Sequence, residues 1–299
     1  RKRECSHSSL IRFALHVSGT RVTFSWLDTD IRELRAHVFI QEGKAPLMKG
    51  VIFDVDGVLT YQGRTYPGAV ETVDFLRERG IILRFVTNST LKSRKSCAEK
   101  LQKQGFSIQE EEVITASYAT AVYLREKKPR SCWILLEGEG FDEFKEMNHE
   151  CENPEYIVVG DYRDKFTFSN MNKALRLLLK GSKLIGMSQE LVDTSMGDIE
   201  LNVGSWVSML ERASGVEAVY IGKPHSYMFE LALESMRLDK NEVVMVGDKV
   251  TTDVLGAKNA GIMSILVRTG EFVEEDLRLG IEPDFICDSV KNIVNILGL

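Results

Sequence analysis

A chain of 299 residues with 43% hydrophobic and 27% charged side chains can bury a sizeable core, and its length points to about two domains. The net charge of -6, from 38 basic and 44 acidic residues, argues against a broad nucleic-acid-binding surface while leaving room for a local basic pocket. Cys5, Cys97, Cys132, Cys151 and Cys287 form no CxxC pair, so neither a disulfide framework nor a zinc site is expected and a reducing, cytoplasmic setting is favoured. No apolar run approaches the ~18 residues needed to span a membrane.

The first 27 residues carry Arg1, Lys2, Arg3, Arg12 and Arg21 against the single acid Glu4, a transit-peptide-like composition. A disordered arm or non-native upstream sequence is the preferred expectation, and residues 1–47 receive no role. Met48, directly before the first convincing strand, is the expected natural start.

From Lys49 onward strand and helix signals alternate, the mark of an α/β fold with a mostly parallel sheet. Val51 to Val55 reads as a buried strand that breaks at Asp56-Gly57. Pro67-Gly68 opens a helix with Val70, Val73 and Leu76 at helical spacing, closed by Gly80. A second buried strand, Ile81 to Val86, ends at Thr87-Asn88. Polar helices follow through Leu101 and around Ala116 to Leu124, and Lys127-Lys128-Pro129-Arg130 marks a boundary.

Beyond it, Cys132 to Leu136, Tyr156 to Val159 and Lys183 to Met187 read as strands. Met171, Ala174, Leu175 and Leu178 share one helix face, and Ser205 is the expected cap of a helix carrying Trp206, Met209 and Leu210, the first two taken as core. After Gly215 the first texture returns, with strands at Ala218–Ile221, Val243–Val246 and Ser264–Val267. Helices are expected through Phe229 to Met236 and from Thr252 to Gly261. The simplest organisation is one core, residues 48–128 and 218–299, interrupted by a module at 129–217.

Four polar clusters each follow the carboxyl end of an apolar strand: Asp54-Val55-Asp56-Gly57, Thr87-Asn88, Gly222-Lys223, and Gly247-Asp248 with Asp253 five residues on. In an open parallel sheet those ends form the ligand crevice, so clusters distant in sequence converge. Crowded carboxylates raise one another's pKa unless a cation sits among them, and an all-oxygen set suits Mg²⁺. Asp54 can then attack phosphorus, Asp56 can protonate the leaving oxygen, and Thr87 and Lys223 can hold the phosphoryl oxygens. Each cluster alone is weak. A calcium loop fails because the twelfth position from Asp54 is Thr65, and Gly222-Lys223 is no Walker loop because Pro224 replaces Ser or Thr. His225 reads as a surface residue at a helix start, and Cys97 and Cys132 as inert thiols.

Taken in order, these motifs resemble the four motifs of the haloacid dehalogenase (HAD) superfamily. The insert and Gly222-Lys-Pro-His-Ser-Tyr-Met-Phe-Glu230 resemble the subfamily with a C2-type cap, which includes 4-nitrophenylphosphatase-like enzymes. Arg176-Leu-Leu-Leu-Lys-Gly181 and Leu266-Val-Arg-Thr-Gly-Glu271 resemble its phospholysine/phosphohistidine/pyrophosphate phosphatase branch. The resemblance spans Met48 to the C-terminus and implies a Rossmann-like parallel-sheet core with an inserted α/β cap. It implies Asp54 as nucleophile, Asp56 as acid/base, and Thr87, Asn88 and Lys223 as phosphoryl ligands. Mg²⁺ would be held by Asp54, the Asp56 backbone carbonyl and Asp248, with Asp253 behind its waters. The cap departs from the pattern: Ser188 to Gly204 lacks the proline-rich segment common in the subfamily.

The expected activity is Mg²⁺-dependent hydrolysis of small phosphorylated substrates, without nucleic-acid or membrane partners and with a homodimer through the cap as the allowed assembly. A phosphotransferase or mutase using Asp54, and a non-catalytic phospho-ligand-binding protein, are the alternatives. Dehalogenation is disfavoured because Asp56 and Asp248 both point to a metal. The polar loop Ser188 to Gly204, with Gln189, Asp193, Asp198 and Asn202, is the expected substrate-facing part of the cap.

Overall fold

Val51, Ile52 and Phe53 are β-branched or aromatic and flanked by breakers, and the strand Gly50–Phe53 that they form is buried on both faces, as the centre of a parallel sheet must be. The computed structural model describes residues 13–18, 21–26, 48–194 and 198–299. The chain divides into Arg1–Ala45 and Pro46–Leu299. In the first unit, Phe13–Ser18 and Arg21–Trp26 pair as an antiparallel hairpin. The expectation for residues 1–47 otherwise lies outside the described residues.

In the second unit a six-stranded sheet runs Phe285–Cys287, Met263–Val267, Val243–Gly247, Gly50–Phe53, Ile82–Thr87, Val113–Thr115, and every pairing is parallel. Alternate residues feed two cores. Val51, Phe53, Leu83 and Phe85 pack with Leu76 and Leu101 on one face, while Ile52 and Met245 pack with Met228 and Phe229 on the other. Strand order reverses between Gly50–Phe53 and Val243–Gly247, so the connections that follow these two strands leave in opposite directions and open a crevice beyond their carboxyl ends.

The insert builds its own four-stranded parallel sheet, Ala218–Tyr220, Lys183–Gly186, Tyr156–Val159 and Cys132–Leu135. Ala218–Tyr220, expected to open the second half of the core beyond a boundary at 217, is instead the edge strand of this sheet because it pairs with Lys183–Gly186. The helices Phe168–Leu179 and Val203–Ser214 cover one face through Met171, Leu178, Val207 and Leu210. The other face, through Ile134, Val158 and Ile185, joins the buried cluster that holds Ile52 and Met245. This is the expected α/β cap, and two further local expectations are corrected. The second cap helix starts two residues before Ser205, because the Asn202 side chain accepts the Val203 amide and caps it, leaving Ser205 Oγ to donate to the Leu191 carbonyl. Met209 is 42% exposed rather than core, since the buried stripe of this helix runs through Val203, Val207 and Leu210, whereas Trp206 is half-buried against Phe166. Cys97 and Cys132 are buried, and burial pushes both thiols up to about 12, which keeps them inert.

Two antiparallel hairpins decorate the core and cap. Thr60–Tyr61 pairs with Arg64–Thr65 just after Asp56-Gly57, and Val192–Asp193 pairs with Glu200–Leu201 inside the loop that leaves the cap sheet.

Candidate active site

Asp54 follows directly on Phe53, and its amide donates to the Val246 carbonyl at 2.9 Å, so the strand ladder itself carries Asp54 to the neighbour of Asp248. The short helical turn Val250–Val254 then brings Asp253 back under the same strand end. One oxygen each of Asp54, Asp248 and Asp253 lie within 4.8 Å of one another, and all three residues are buried. Lys223 arrives from the crossing out of the cap, and its Nζ is 2.7 Å from both Asp54 Oδ1 and Asp253 Oδ1. Asp253 Oδ2 accepts the Lys249 amide at 3.2 Å.

Glycine is required at two positions of this floor. Gly57 and Gly270 both have positive φ, and a Cβ on either would overlap the Asp248 carboxylate. Asp248 Oδ2 accepts the Glu271 amide at 2.6 Å, and Thr269 Oγ1 donates to the Gly57 carbonyl at 2.6 Å, which locks the two glycine turns together.

The electrostatics follow from burial. Burial pushes the Asp54 carboxyl well above the ordinary carboxylate range. Lys223 pulls it back, and Asp253 and Asp248 raise it again. Burial, with Asp253 beside it, pushes Asp248 up to about 7. Burial disfavours the Lys223 ammonium, but the charges of Asp253 and Asp54 outweigh that and raise its pKa. Three buried carboxylates against one ammonium leave an excess of negative charge. Hard oxygen donors at this spacing fit a small divalent cation, which would return the carboxyls to their ionised form.

Thr87 ends its strand beside this floor, buried, with Oγ1 accepting the Ser89 amide. Asn88 locks the Lys223 segment in place: its Oδ1 accepts the Lys223 amide at 2.8 Å, and its Nδ2 donates to the Lys223 carbonyl at 3.0 Å. Asp56 is different. Its side chain is 45% exposed, accepts from Thr60 Oγ1 at 3.3 Å and pairs with Lys100 at 3.4 Å, so its carboxylate stands at the mouth, apart from the buried triad. All of the sequence-predicted site residues except Asp253 line one cleft of about 360 Å³, and Asp253 supports it from beneath through Lys223.

The loop expected to face substrate lines the cleft in part. Asp193 and Asn202 line the cleft, whereas Asp198 does not and Gln189 bonds His225 at 2.9 Å. His225 is half-buried against Tyr220, away from the cleft lining. Sequence reasoning gave no role to Lys249, whose Nζ meets the Glu190 and Glu271 carboxylates at 2.7 and 2.9 Å on the cleft wall, or to Lys92 and Lys100 at its mouth. The signal for Lys249 was adjacency to Asp248. Glu271 ends the segment Leu266-Val-Arg-Thr-Gly-Glu271 and Glu190 lies in the expected substrate-facing loop, but neither was assigned a role.

The haloacid dehalogenase-like hydrolase family model matches residues 51–150, and a HAD-hydrolase-like model matches residues 220–293, leaving most of the cap between them. The chain is 32% identical over 249 residues to mouse haloacid dehalogenase-like hydrolase domain-containing protein 2, covering 83% of this chain and 95% of that protein. It is 32% identical over 252 residues to phospholysine phosphohistidine inorganic pyrophosphate phosphatase of Xenopus laevis, covering 82% and 91%. Among solved structures, p-nitrophenyl phosphatase from Archaeoglobus fulgidus superimposes with a TM-score of 0.78 at 32% identity over 84% of this chain and 99% of that one. In sequence and fold, the chain belongs to the haloacid dehalogenase-like hydrolase family.

Proposed function

We propose that the protein is a Mg²⁺-dependent phosphatase that hydrolyses small phosphorylated molecules through an aspartyl-phosphate on Asp54. The observation that carries this reading is the buried triad Asp54, Asp248 and Asp253 with Lys223 Nζ 2.7 Å from two of its members, at the floor of a cleft that also holds Thr87 and Asn88. Phosphatases among its relatives support it.

Lys223, the Thr87 hydroxyl and the Asn88 amide bind the phosphoryl oxygens and orient phosphorus toward Asp54. A carboxylate oxygen of Asp54 attacks, the ester P–O bond breaks, and its electron pair leaves on the alcohol oxygen, which takes a proton from Asp56. Asp56 then removes a proton from water, the water oxygen attacks phosphorus, and the bond from Asp54 to phosphorus breaks to release inorganic phosphate. The exposed position of Asp56 at the mouth suits contact with a leaving group rather than with the floor. Asp54, Asp248 and the Asp56 carbonyl would hold Mg²⁺, which when bound neutralises charge on the phosphoryl group. Asp253, both of whose oxygens already accept hydrogen bonds, supports the site from behind. Residues 48–128 and 221–299 form the catalytic core in this reading, and residues 129–220, ending with the cap-sheet strand Ala218–Tyr220, form the cap that covers the leaving group.

Hydrolysis of p-nitrophenyl phosphate with Mg²⁺ and with chelator, in wild type and Asp54→Asn, tests it. Chelator should abolish turnover, and Asp54→Asn should lower kcat more than about a hundredfold, a barrier rise above ~3 kcal/mol. Full turnover in chelator, or a smaller loss in the variant, overturns the mechanism.

A further inference from the structure

We infer that Glu190 and Lys249 are positioning residues that pin the cap strand Val192–Asp193 over the leaving-group side of the cleft by closing a ring of side chains onto the core. The kinetic part of this inference rests on the phosphatase reading above.

The ring is continuous. Glu190 Oε1 accepts from Lys249 Nζ at 2.7 Å, Lys249 Nζ also donates to Glu271 Oε2 at 2.9 Å, and Glu271 Oε1 accepts from Thr194 Oγ1 at 2.5 Å. The path leaves the loop at Glu190 and returns to it at Thr194, so the strand between them is anchored at both ends. Val192 and Asp193, the residues so held, line the cleft. Both core anchors adjoin Asp248: Lys249 follows it in sequence, and the Glu271 amide donates to its carboxylate.

The loop backbone reinforces the ring. The Gly204 amide donates to the Glu190 carbonyl and the Asn202 amide to the Leu191 carbonyl, both at 2.9 Å. A Cβ at Gly204 would overlap the Gln189 carbonyl, so the close approach of the following helix requires glycine. Glu190 has a second hold, since its Oε2 accepts from Asn88 Nδ2 at 2.9 Å. The same Asn88 accepts the Lys223 amide. Glu190 therefore ties the roof of the cleft to the segment that carries the phosphoryl ligands.

The ring is not an ordinary surface ion pair. The side chains of Lys249, Glu190 and Glu271 are 24%, 19% and 20% exposed, and one ammonium serves two carboxylates. Without Lys249 those carboxylates face each other in a partly dry wall and repel, so the loop detaches rather than merely losing one contact. Glu190 and Lys249 touch the roof and its anchors, not the reacting atoms, and their effect falls on placing the leaving group.

Hydrogen exchange on the full chain without substrate, at the amides of Asn202 and Gly204, reads the ring directly. Lys249→Met and Glu190→Gln should each speed exchange there about tenfold, and Lys249→Arg should restore protection. With substrate, both variants should raise KM about tenfold for esters with large leaving groups while lowering kcat less than about threefold, and the double variant should be no worse than the worse single one. Wild-type exchange rates at these amides in Lys249→Met and Glu190→Gln, or one common loss factor across all substrates, overturn the inference. Absence of any wild-type turnover would instead overturn the phosphatase reading and leave the exchange result to decide the ring.

Discussion

Lys223→Met removes the single ammonium that stands between Asp54 and Asp253 while keeping the volume of the side chain. In the native fold Lys223 is 2% exposed and lies 2.7 Å from each carboxylate. Breaking a buried pair and leaving its partner uncompensated costs about 3–5 kcal/mol, and here two carboxylates are left, with Asp248 as a third. For a folded unit of this size that corresponds to a fall in Tm of roughly 10 °C. The loss depends on pH in a stated direction. Burial already raises the Asp54 pKa and Lys223 is what lowers it, so the variant raises it further. An acid whose folded pKa exceeds its unfolded value keeps its stability below the unfolded pKa and loses it as pH rises through the folded one. The deficit of Lys223→Met should accordingly be full at pH 8 and shrink toward pH 5. Thermal unfolding of metal-free wild type and variant at both pH values is the assay, with turnover of p-nitrophenyl phosphate falling about 10²–10³-fold in parallel. An equal deficit at pH 5 and pH 8, or none, would show that Lys223 does not compensate these carboxylates.

Cation binding should strengthen with pH, because Asp248, raised to about 7 without metal, must lose its proton to ligate; the Mg²⁺ concentration that gives half-maximal stabilisation should fall up to about tenfold per pH unit below 7 and level off above it, as titration calorimetry or Mg²⁺-dependent Tm would show. Gly57→Ala should cost about 1–3 kcal/mol from its positive φ and weaken Mg²⁺ binding as well, since the new Cβ displaces Asp248; unchanged Mg²⁺ affinity would separate the turn from the metal site. Substitutions at Val192 and Asn202, which line the cleft from the cap, should redistribute kcat/KM among phosphate esters while leaving the inhibition constant of inorganic phosphate within about twofold. A common loss factor across esters would make that loop purely structural.

Much was legible in the sequence because the underlying physics is local. Runs such as Val51-Ile52-Phe53 and Val243-Val244-Met245-Val246 can only be satisfied by burial on both faces, and their polar terminations mark the carboxyl edge of a parallel sheet. Asp54, Thr87, Lys223 and Asp248 were readable as one cleft for that reason, and their order carried the resemblance that the relatives confirm. Short elements were not legible. Val113–Thr115, Phe285–Cys287 and the hairpin Val192–Asp193 with Glu200–Leu201 are two or three residues long, too short for any periodicity to register.

What the sequence determined by itself, then, was the alternation of buried strands and amphipathic helices and the chemistry waiting at four strand ends. Only the tertiary structure decided which charges meet. Glu190, Lys249 and Glu271 lie in three segments with no common pattern, and each alone reads as an ordinary solvated charge. They become a ring because the chain reversal at Gly204 brings the cap loop back over the core, while the ladder beside Gly50–Phe53 sets Lys249 at the crevice edge. An ion pair between distant segments depends on the relative placement of two sheets, and that placement is fixed by the packing of whole elements rather than by any residue's neighbours in sequence.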